Sequence, residues 1–424
     1  MTSAIETEIT QHGKKILDKS PYSPSYKQKQ NEAFQFFKDT GLPTKKDENW
    51  IYSSLSKNLS FRPFDSESFV DSSQSAGMPE AHHYIDRSSL IVFNNGKFNR
   101  EKSNLPNGVK LSSVQNTLTN ELYHDVFDAL NLALSQEAQS FVLEKNTALA
   151  VPLTIVYQND PWVTNKIVSN RVHFLIEENV NATIVEMYAC SEPSLIQYTH
   201  NSRSEFKLQA NSQIKHIKII EEAKKATHVS LTKAHVSRDA LFQSTVFDLG
   251  LLSSRVNLEI HLNEENARGE SNGLFSITET EHADHFTNIF HHRPHTFSSQ
   301  LYKGILNKNS HGAFTGKISM DQFVSGSESS QLNKNLLLSK KAHIDTRPQL
   351  LVATDDVKCS HGATIGELSS DEEFYLISRG ISKERARKLL GMGFLLEILY
   401  LVTDKNDDLF QFISKKLSQL EFSL

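Results

Sequence analysis

Between residues 141 and 368 the sequence is a succession of short segments whose apolar residues recur at every second position, with no helical pattern between them. In Val256-Asn257-Leu258-Glu259-Ile260-His261-Leu262 the alternation is complete. That is the period of a strand with one face in a core. Similar pieces occur at residues 172–176, 217–219, 242–247 and 336–338. Strands that follow one another without helical crossovers restrict the fold to a sandwich, a barrel or a strand solenoid. Asn181-Ala182, Asn211-Ser212, Asn266-Ala267 and Asn309-Ser310 mark turns, because Asn tolerates the left-handed backbone that turns often need. Their spacing is irregular and yields no repeat period, so spacing alone does not choose among the three architectures.

The flanks read differently. Residues 26–40 carry Phe34, Phe36 and Phe37 on a largely polar helix, which Gly41 and Pro43 end. Residues 65–77 read as a Ser/Asp-rich loop. Residues 90–93 and 109–111 read as short strands around an Asn95-Gly96 turn. Leu122, Val126, Leu130 and Leu134 recur at helical spacing. Past residue 368, Ser370-Asp371-Glu372-Glu373 is a capping box for a short helix that Gly380 ends. Ser382 can cap a second helix, and a third runs from Asp407 with Leu409, Ile413, Leu417 and Leu420 on one face. The expected organisation is a helical and mixed unit over 1–140, a strand core over 141–368 and a helical unit over 369–424.

Composition narrows function by exclusion. A net charge of −5 supplies no basic stripe, so nucleic acid is not an expected partner. No apolar run reaches the about 18 residues that cross a bilayer, and the first residues lack the pattern of a signal or transit peptide, so no membrane role and a cytoplasmic location are expected. Cys190 and Cys359 are the only thiols, too few for a disulfide framework or a four-thiolate cage. Any cluster or metal held here must borrow ligands from histidine, from carboxylate or from another chain.

Several motifs fail on inspection. Gly312 to Lys317 has one residue too few between its glycines for a phosphate loop, and Ile318 stands where a Mg²⁺-binding hydroxyl is required. Gly391-Met392-Gly393 lacks the third glycine of a dinucleotide fingerprint. His282, His285, His291, His292 and His295 crowd one stretch without metal-site spacing, which favours separate structural roles. The sharpest local feature is Val357-Lys358-Cys359-Ser360-His361-Gly362-Ala363. On a strand, Cys359 and His361 share a face and could hold a soft metal or form a nucleophile–base pair. The alternative is that Cys359 packs as a small hydrophobe. No nucleophile elbow is present, and adjacent Asp355 and Asp356 would face opposite ways on a strand, so no enzyme centre is nominated.

Longer strings carry more information. Arg347-Pro348-Gln349-Leu350, the run from Asp355 through Gly366, Phe374-Tyr375-Leu376 and Ser378-Arg379-Gly380-Ile381 resemble the carboxyl-terminal signature of the SufD branch of the SufB/SufD family of iron–sulfur cluster assembly scaffold subunits. HHRPHTFSSQLYKG (291–304), QLNKNLLLS (331–339) and the amino-terminal LPTKKDENW (42–50) fit the same family. The SufB branch typically has a Glu-containing string where this chain has Cys-Ser-His-Gly-Ala, and a cysteine where it has Lys340-Lys341-Ala342-His343.

The resemblance implies a mainly β chain, with a right-handed parallel β-helix core between amino- and carboxyl-terminal helical domains. It implies a non-catalytic scaffold that pairs with SufB through the β-helix, a homodimer being the alternative in isolation. Two copies of the ABC-type ATPase SufC would dock on the carboxyl-terminal helices, in the region of Phe374, Arg379, Arg385, Leu389 and Phe394. The missing phosphate loop agrees with that division of labour. In the family, the histidine matching His361 lies near the SufB–SufD interface and is implicated in cluster assembly, with the Cys359 equivalent beside it. No cofactor would be held stably by this chain alone; His361 and Cys359 would be ligands of a transient iron–sulfur cluster shared with SufB. Two other expectations compete. A β-helix polysaccharide lyase or hydrolase would need an export signal, an aromatic groove and a carboxylate or metal centre. A purely structural subunit would share fold and partners and keep His361 as a core residue.

Overall fold

Parallel strands with two buried faces need a fold that carries the chain back to the start of each new strand. This chain does so by coiling. The computed structural model describes residues 4–53, 55, 59, 62–63, 84–113, 123–135, 137–191, 196–402 and 407–419. The expected loop at 65–77, Leu122 and Leu420 lie outside them.

Helices α1 (Ala4–Asp18) and α2 (Pro24–Thr40) come first, followed by β1 (Arg62–Pro63), β2 (Leu90–Asn94), β3 (Lys97–Phe98) and β4 (Val109–Ser112). Helix α3 (Val126–Leu134) then leads into β5 (Ala138–Leu143), β6 (Leu153–Asn159), β7 (Lys166–Ile176) and β8 (Asn181–Cys190). The coil continues through β9 (Thr199–Leu208), β10 (Gln213–Glu221), β11 (Thr227–Val236), β12 (Leu241–Asp248), β13 (Ser253–Leu262) and β14 (Arg268–Ile277). It ends with β15 (His282–His291), β16 (Phe297–Leu306), β17 (His311–Met320), β18 (Ser327–Leu337), β19 (His343–Val352) and β20 (Val357–Gly366). Helices α4 (Ser370–Ser378), α5 (Lys383–Val402) and α6 (Asp408–Ser418) follow. Odd strands from β5 to β19 form one parallel sheet and even strands from β6 to β20 the other. The protein is a parallel β-solenoid with helices at both ends.

Thr199, Thr227, Ser253, His282, His311 and His343 stack in register on successive coils, and the coils differ in length. That variation hides the repeat in the sequence. One corner of the solenoid is nevertheless regular. Asn146, Asn179, Asn211, Asp239, Asn266, His295 and Gly326 all adopt left-handed backbone, with φ between 56° and 68°. Each of the first three donates its backbone N–H to the carbonyl of the residue before the next corner: Glu178, Ala210 and Arg238. Asn211 and Asn266 are therefore turn residues as expected. Asn309 also lies in a turn, next to the left-handed Lys308, whereas Asn181 already opens β8, two residues past the left-handed Asn179.

Two local expectations need correction. Asn95-Gly96 does close a hairpin, with φ of 50° and 84°, but the partner of β2 is β3; β4 pairs antiparallel with β5. Ser369, not Ser370, caps α4, its Oγ accepting the Glu372 N–H at 3.3 Å.

Inward-facing aromatics form ladders through the early coils. The ring centroids of Phe141, Phe174 and Phe206 are 5.8 and 4.7 Å apart, close to the spacing of adjacent strands. Alongside them the lumen holds charges. Glu186 accepts from Tyr157 Oη at 2.8 Å and lies 2.9 Å from His216 Nε2, with Lys218 Nζ at 3.9 Å. Burial alone would raise its carboxyl, but Lys218, His216 and Ser204 hold it down at about 2. One coil on, Glu222 sits 2.7 Å from His200 Nδ1 and 2.8 Å from His228 Nδ1 and is likewise held at about 2.

Buried histidines make the fold acid-sensitive, His173 and His291 among them. Burial, the largest influence on each, lowers His173 to about 3 and His291 to about 4. Unfolded, both would titrate near ~6.5. Their depressed values mean that the unfolded chain takes up protons that the native chain refuses as pH falls from about 6.5 to about 4. Each histidine then removes stability at roughly 1.4 kcal/mol per pH unit. His124, which burial alone would lower but which Glu259, Asp125 and Asp128 together raise, works in the opposite direction and offsets part of the loss. Below about 4.5 the depressed Glu186 and Glu222 begin to lose their contribution as well. The urea midpoint should hold between pH 9 and 7 and decline steadily from pH 6.5 to 4.5; a midpoint unchanged at pH 5 would contradict this reading.

Candidate functional site

A solenoid has two ends, and each exposes a coil that nothing stacks on unless another element covers it. At the carboxyl-terminal end the last coil is β19 and β20. Ser327, Ser329, Gln331, Asn333 and Asn335 are the buried positions of β18, alternating with less buried ones, and so face the lumen. Val357, Cys359, His361, Ala363 and Ile365 stand in register above them. These β20 residues hold lumen positions with no further coil on top. Ile365 is accordingly 49% exposed, and Val352 on β19 is 41% exposed.

The lumen below this open end is polar. Ser298 and Ser329 hydroxyls are 2.7 Å apart, leading up towards Cys359. His291 lies at the foot of that column, with Nε2 at 2.8 Å from Ser298 Oγ. Gln300 and Gln331 stack in register beneath His361. Thr346 Oγ1 donates to Asn333 Oδ1 at 2.9 Å, joining the two sheets. Gln331 Oε1 and Asn335 Oδ1 are buried with no hydrogen-bond partner among the described residues.

Cys359 and His361 are placed on one face of one strand, as period two requires. They do not form a nucleophile–base pair. Positions two apart on a strand are separated by roughly 6.6 Å, and Cys359 Sγ instead lies 3.4 Å from Met320 Sδ. It packs with Met320, Ile318, Val324 and Val357, and burial pushes its thiol up. A raised thiol is a poor nucleophile at neutral pH. His361, by contrast, is exposed.

The carboxyl-terminal residues divide into two groups. Helix α4 buries no side chain: Phe374 is 72% exposed and Tyr375 58%, with the Arg379 guanidinium 5.2 Å from the Tyr375 ring. Arg385 and Leu389 on the first turns of α5 are exposed too. Phe394 differs. It lies beneath Lys303 Nζ at 4.3 Å, in a cluster where Leu395, Ile398, Leu399, Phe412 and Ile413 cover Val185, Met187, Ile217 and Ile219 of the even-strand sheet. Helices α5 and α6 therefore roof that sheet, while α4, the start of α5 (Leu389) and its end (Tyr400 and Leu401) leave apolar side chains exposed.

The amino-terminal string reaches the open end by a route that sequence reasoning missed. Glu48 pairs with Arg347 on β19 at 2.8 Å, and Asn49 accepts from Lys317 on β17 at 3.0 Å. Trp50 lies 4.6 Å from the Arg255 guanidinium, and Ser53 Oγ donates to Asp284 at 2.6 Å. The five clustered histidines do not converge. His285 faces Asp248 in the lumen, His291 joins the serine column, His292 pairs with Asp321 outside, and His295 turns a corner. Gly312 to Lys317 lies within β17, where ladder bonds occupy the backbone that a phosphate would need.

The family profile described as SUF system FeS cluster assembly, SufBD core domain, matches residues 158–394. The chain belongs to the SufBD family. This SufBD protein is 33% identical over 382 residues to an iron–sulfur cluster assembly SufBD family protein of Synechocystis, covering 84% of this chain and 83% of the relative. It is 29% identical over 374 residues to the iron–sulfur cluster assembly protein SufD of Escherichia coli, covering 86% of each. The matched segment of this SufBD protein runs from β6 into α5 and so includes the open end. Among the described residues no helix is long and apolar enough to cross a membrane.

Proposed function

We propose that this chain is a SufD-type, non-catalytic scaffold subunit that works in the cytoplasm and completes a cluster-assembly site only with its partners. The observation that carries the reading is the open coil: His361 holds a lumen position, yet it is exposed above a polar column with unpartnered acceptors. SufB would stack on this end, and His361 would supply a ligand to an iron–sulfur cluster built as cargo at the joint surface. Clusters accept imidazole in place of thiolate. Cys359 would join once its thiol is drawn away from Met320. Two cysteines cannot supply a four-thiolate cage, so in this reading the remaining ligands come from the partner. The exposed apolar side chains of α4 and early α5 would receive SufC, whose ATP-driven closure would bias the joint between closed and accessible states.

Surface substitutions separate the two contacts without unfolding the chain. On co-expression, the tagged chain should retain both SufB and SufC. Val352→Glu with Ile365→Glu should release SufB, because two carboxylates would be buried unpaired in the joint. Phe374→Glu with Leu389→Glu should release SufC and keep SufB. Retention of both partners by both double variants would contradict the assignment. Removing α5 and α6 altogether is the poorer test, since it would strip the roof from the even-strand sheet.

A further inference from the structure

Three histidines stack on the outside of the solenoid near its open end, at positions that the cluster-assembly reading does not use. His282, His311 and His343 are in register at the starts of β15, β17 and β19. Their ring centroids are 4.8 and 5.3 Å apart. They face away from the lumen, because the alternate residues Ala283, Gly312 and Ile344 are the buried ones. Asp345, two residues after His343 and on the same face, reaches both later rings. His311 Nε2 lies 2.8 Å from its Oδ2 and His343 Nε2 lies 3.4 Å from its Oδ1.

This geometry does more than pair charges. Two imidazole nitrogens converge on the two oxygens of one carboxylate, and one ligand atom from each residue lies within 4.8 Å of the others. In a tetrahedral site with bonds of about 2.1 Å, ligand atoms stand roughly 3.4 Å apart. Closing the remaining gap needs only side-chain rotation, and the His343 side chain is 67% exposed and free to turn. Beneath them His282 Nε2 is buried without a partner among the described residues. Two histidines and one carboxylate form a ligand set for a divalent first-row transition metal, with positions left open to solvent.

Among the described residues, a second His/carboxylate group, His200, Glu222 and His228, is a contrasting case. All three are fully buried, and each imidazole Nδ1 already holds a carboxylate oxygen. We propose that His311, His343 and Asp345 form a surface site for a divalent transition-metal ion, separate from Cys359 and His361. The site does not depend on the scaffold reading: it needs no partner chain and no thiol.

Cobalt(II) added to the untagged, metal-free chain tests this. One equivalent should bind and give the weak visible bands of a nitrogen–oxygen ligand set, without the intense near-ultraviolet absorption of a thiolate ligand. His343→Ala and Asp345→Ala should each weaken binding at least about tenfold, since losing even an outer-shell partner costs about 10–100-fold. His343 is exposed, so its variant should unfold at the wild-type urea concentration. Cys359→Ser with His361→Ala should bind cobalt like the wild type. No binding by the wild-type chain, undiminished binding by His343→Ala, or loss of binding in the Cys359/His361 variant would each overturn the assignment.

Discussion

Replacing Asp128 by alanine should destabilise the chain by about 3–5 kcal/mol, the cost of stranding a buried charge by removing its partner. Asp128 sits in the first turn of α3 and is buried against the outer face of the odd-strand sheet. Arg203 Nη1 approaches one of its oxygens to 2.5 Å and Arg171 Nη1 the other to 3.4 Å. Burial would raise the Asp128 carboxyl, yet the two guanidiniums beside it hold it below the ordinary range. Without it, Glu205, 3.1 Å from Arg203 Nη2, would face two buried guanidiniums alone. Asp128→Asn keeps the shape and some hydrogen bonds and should cost less than alanine. An exposed pair gives the scale: Lys110→Ala, which removes the partner of Glu144 at the surface, should cost at most about 1 kcal/mol. Urea unfolding of the three variants checks the order, and a loss under about 1 kcal/mol for Asp128→Ala would show that the arginines find other compensation.

Asp128 also illustrates what the sequence did not disclose. The helix around it is legible, because Val126, Leu130 and Leu134 recur with its period. Its partners lie on strands far along the chain, and pairing across such separations leaves no periodic trace. The strands themselves are readable wherever one face is apolar, as at residues 256–262. They are less readable where the lumen takes charge: Glu186, His216 and Lys218 look like solvent-facing residues until the coil closes around them. Coil length varies, so the repeat was invisible even though an almost regular column of left-handed residues marks one corner. His361 was found by its string, whereas its exposure at a lumen position depends on which strand comes last. The outer histidine ladder was beyond reach for the same reason: His282, His311 and His343 become neighbours only through register.

The second large effect concerns that last strand. His361→Ala should leave the fold and the partner contacts intact, because the side chain is exposed and the backbone of β20 stays paired to β18. It should nonetheless lower the cluster content of the assembled complex at least about tenfold, since the cargo would lose a ligand that no other group in β20 replaces. Cys359→Ser should cost less, because its thiol is engaged with Met320 at rest. A role confined to packing predicts the reverse order: little change for exposed His361 and a larger one for half-buried Cys359.

The deciding measurement is the visible absorption of the SufB–SufC complex with this chain, isolated anaerobically with wild-type or His361→Ala chain at matched subunit ratios. Iron–sulfur charge-transfer bands present with the wild-type chain and nearly absent with the variant are the predicted result. Bands of equal strength in both would contradict the claim that the open end of this solenoid supplies part of the assembly site.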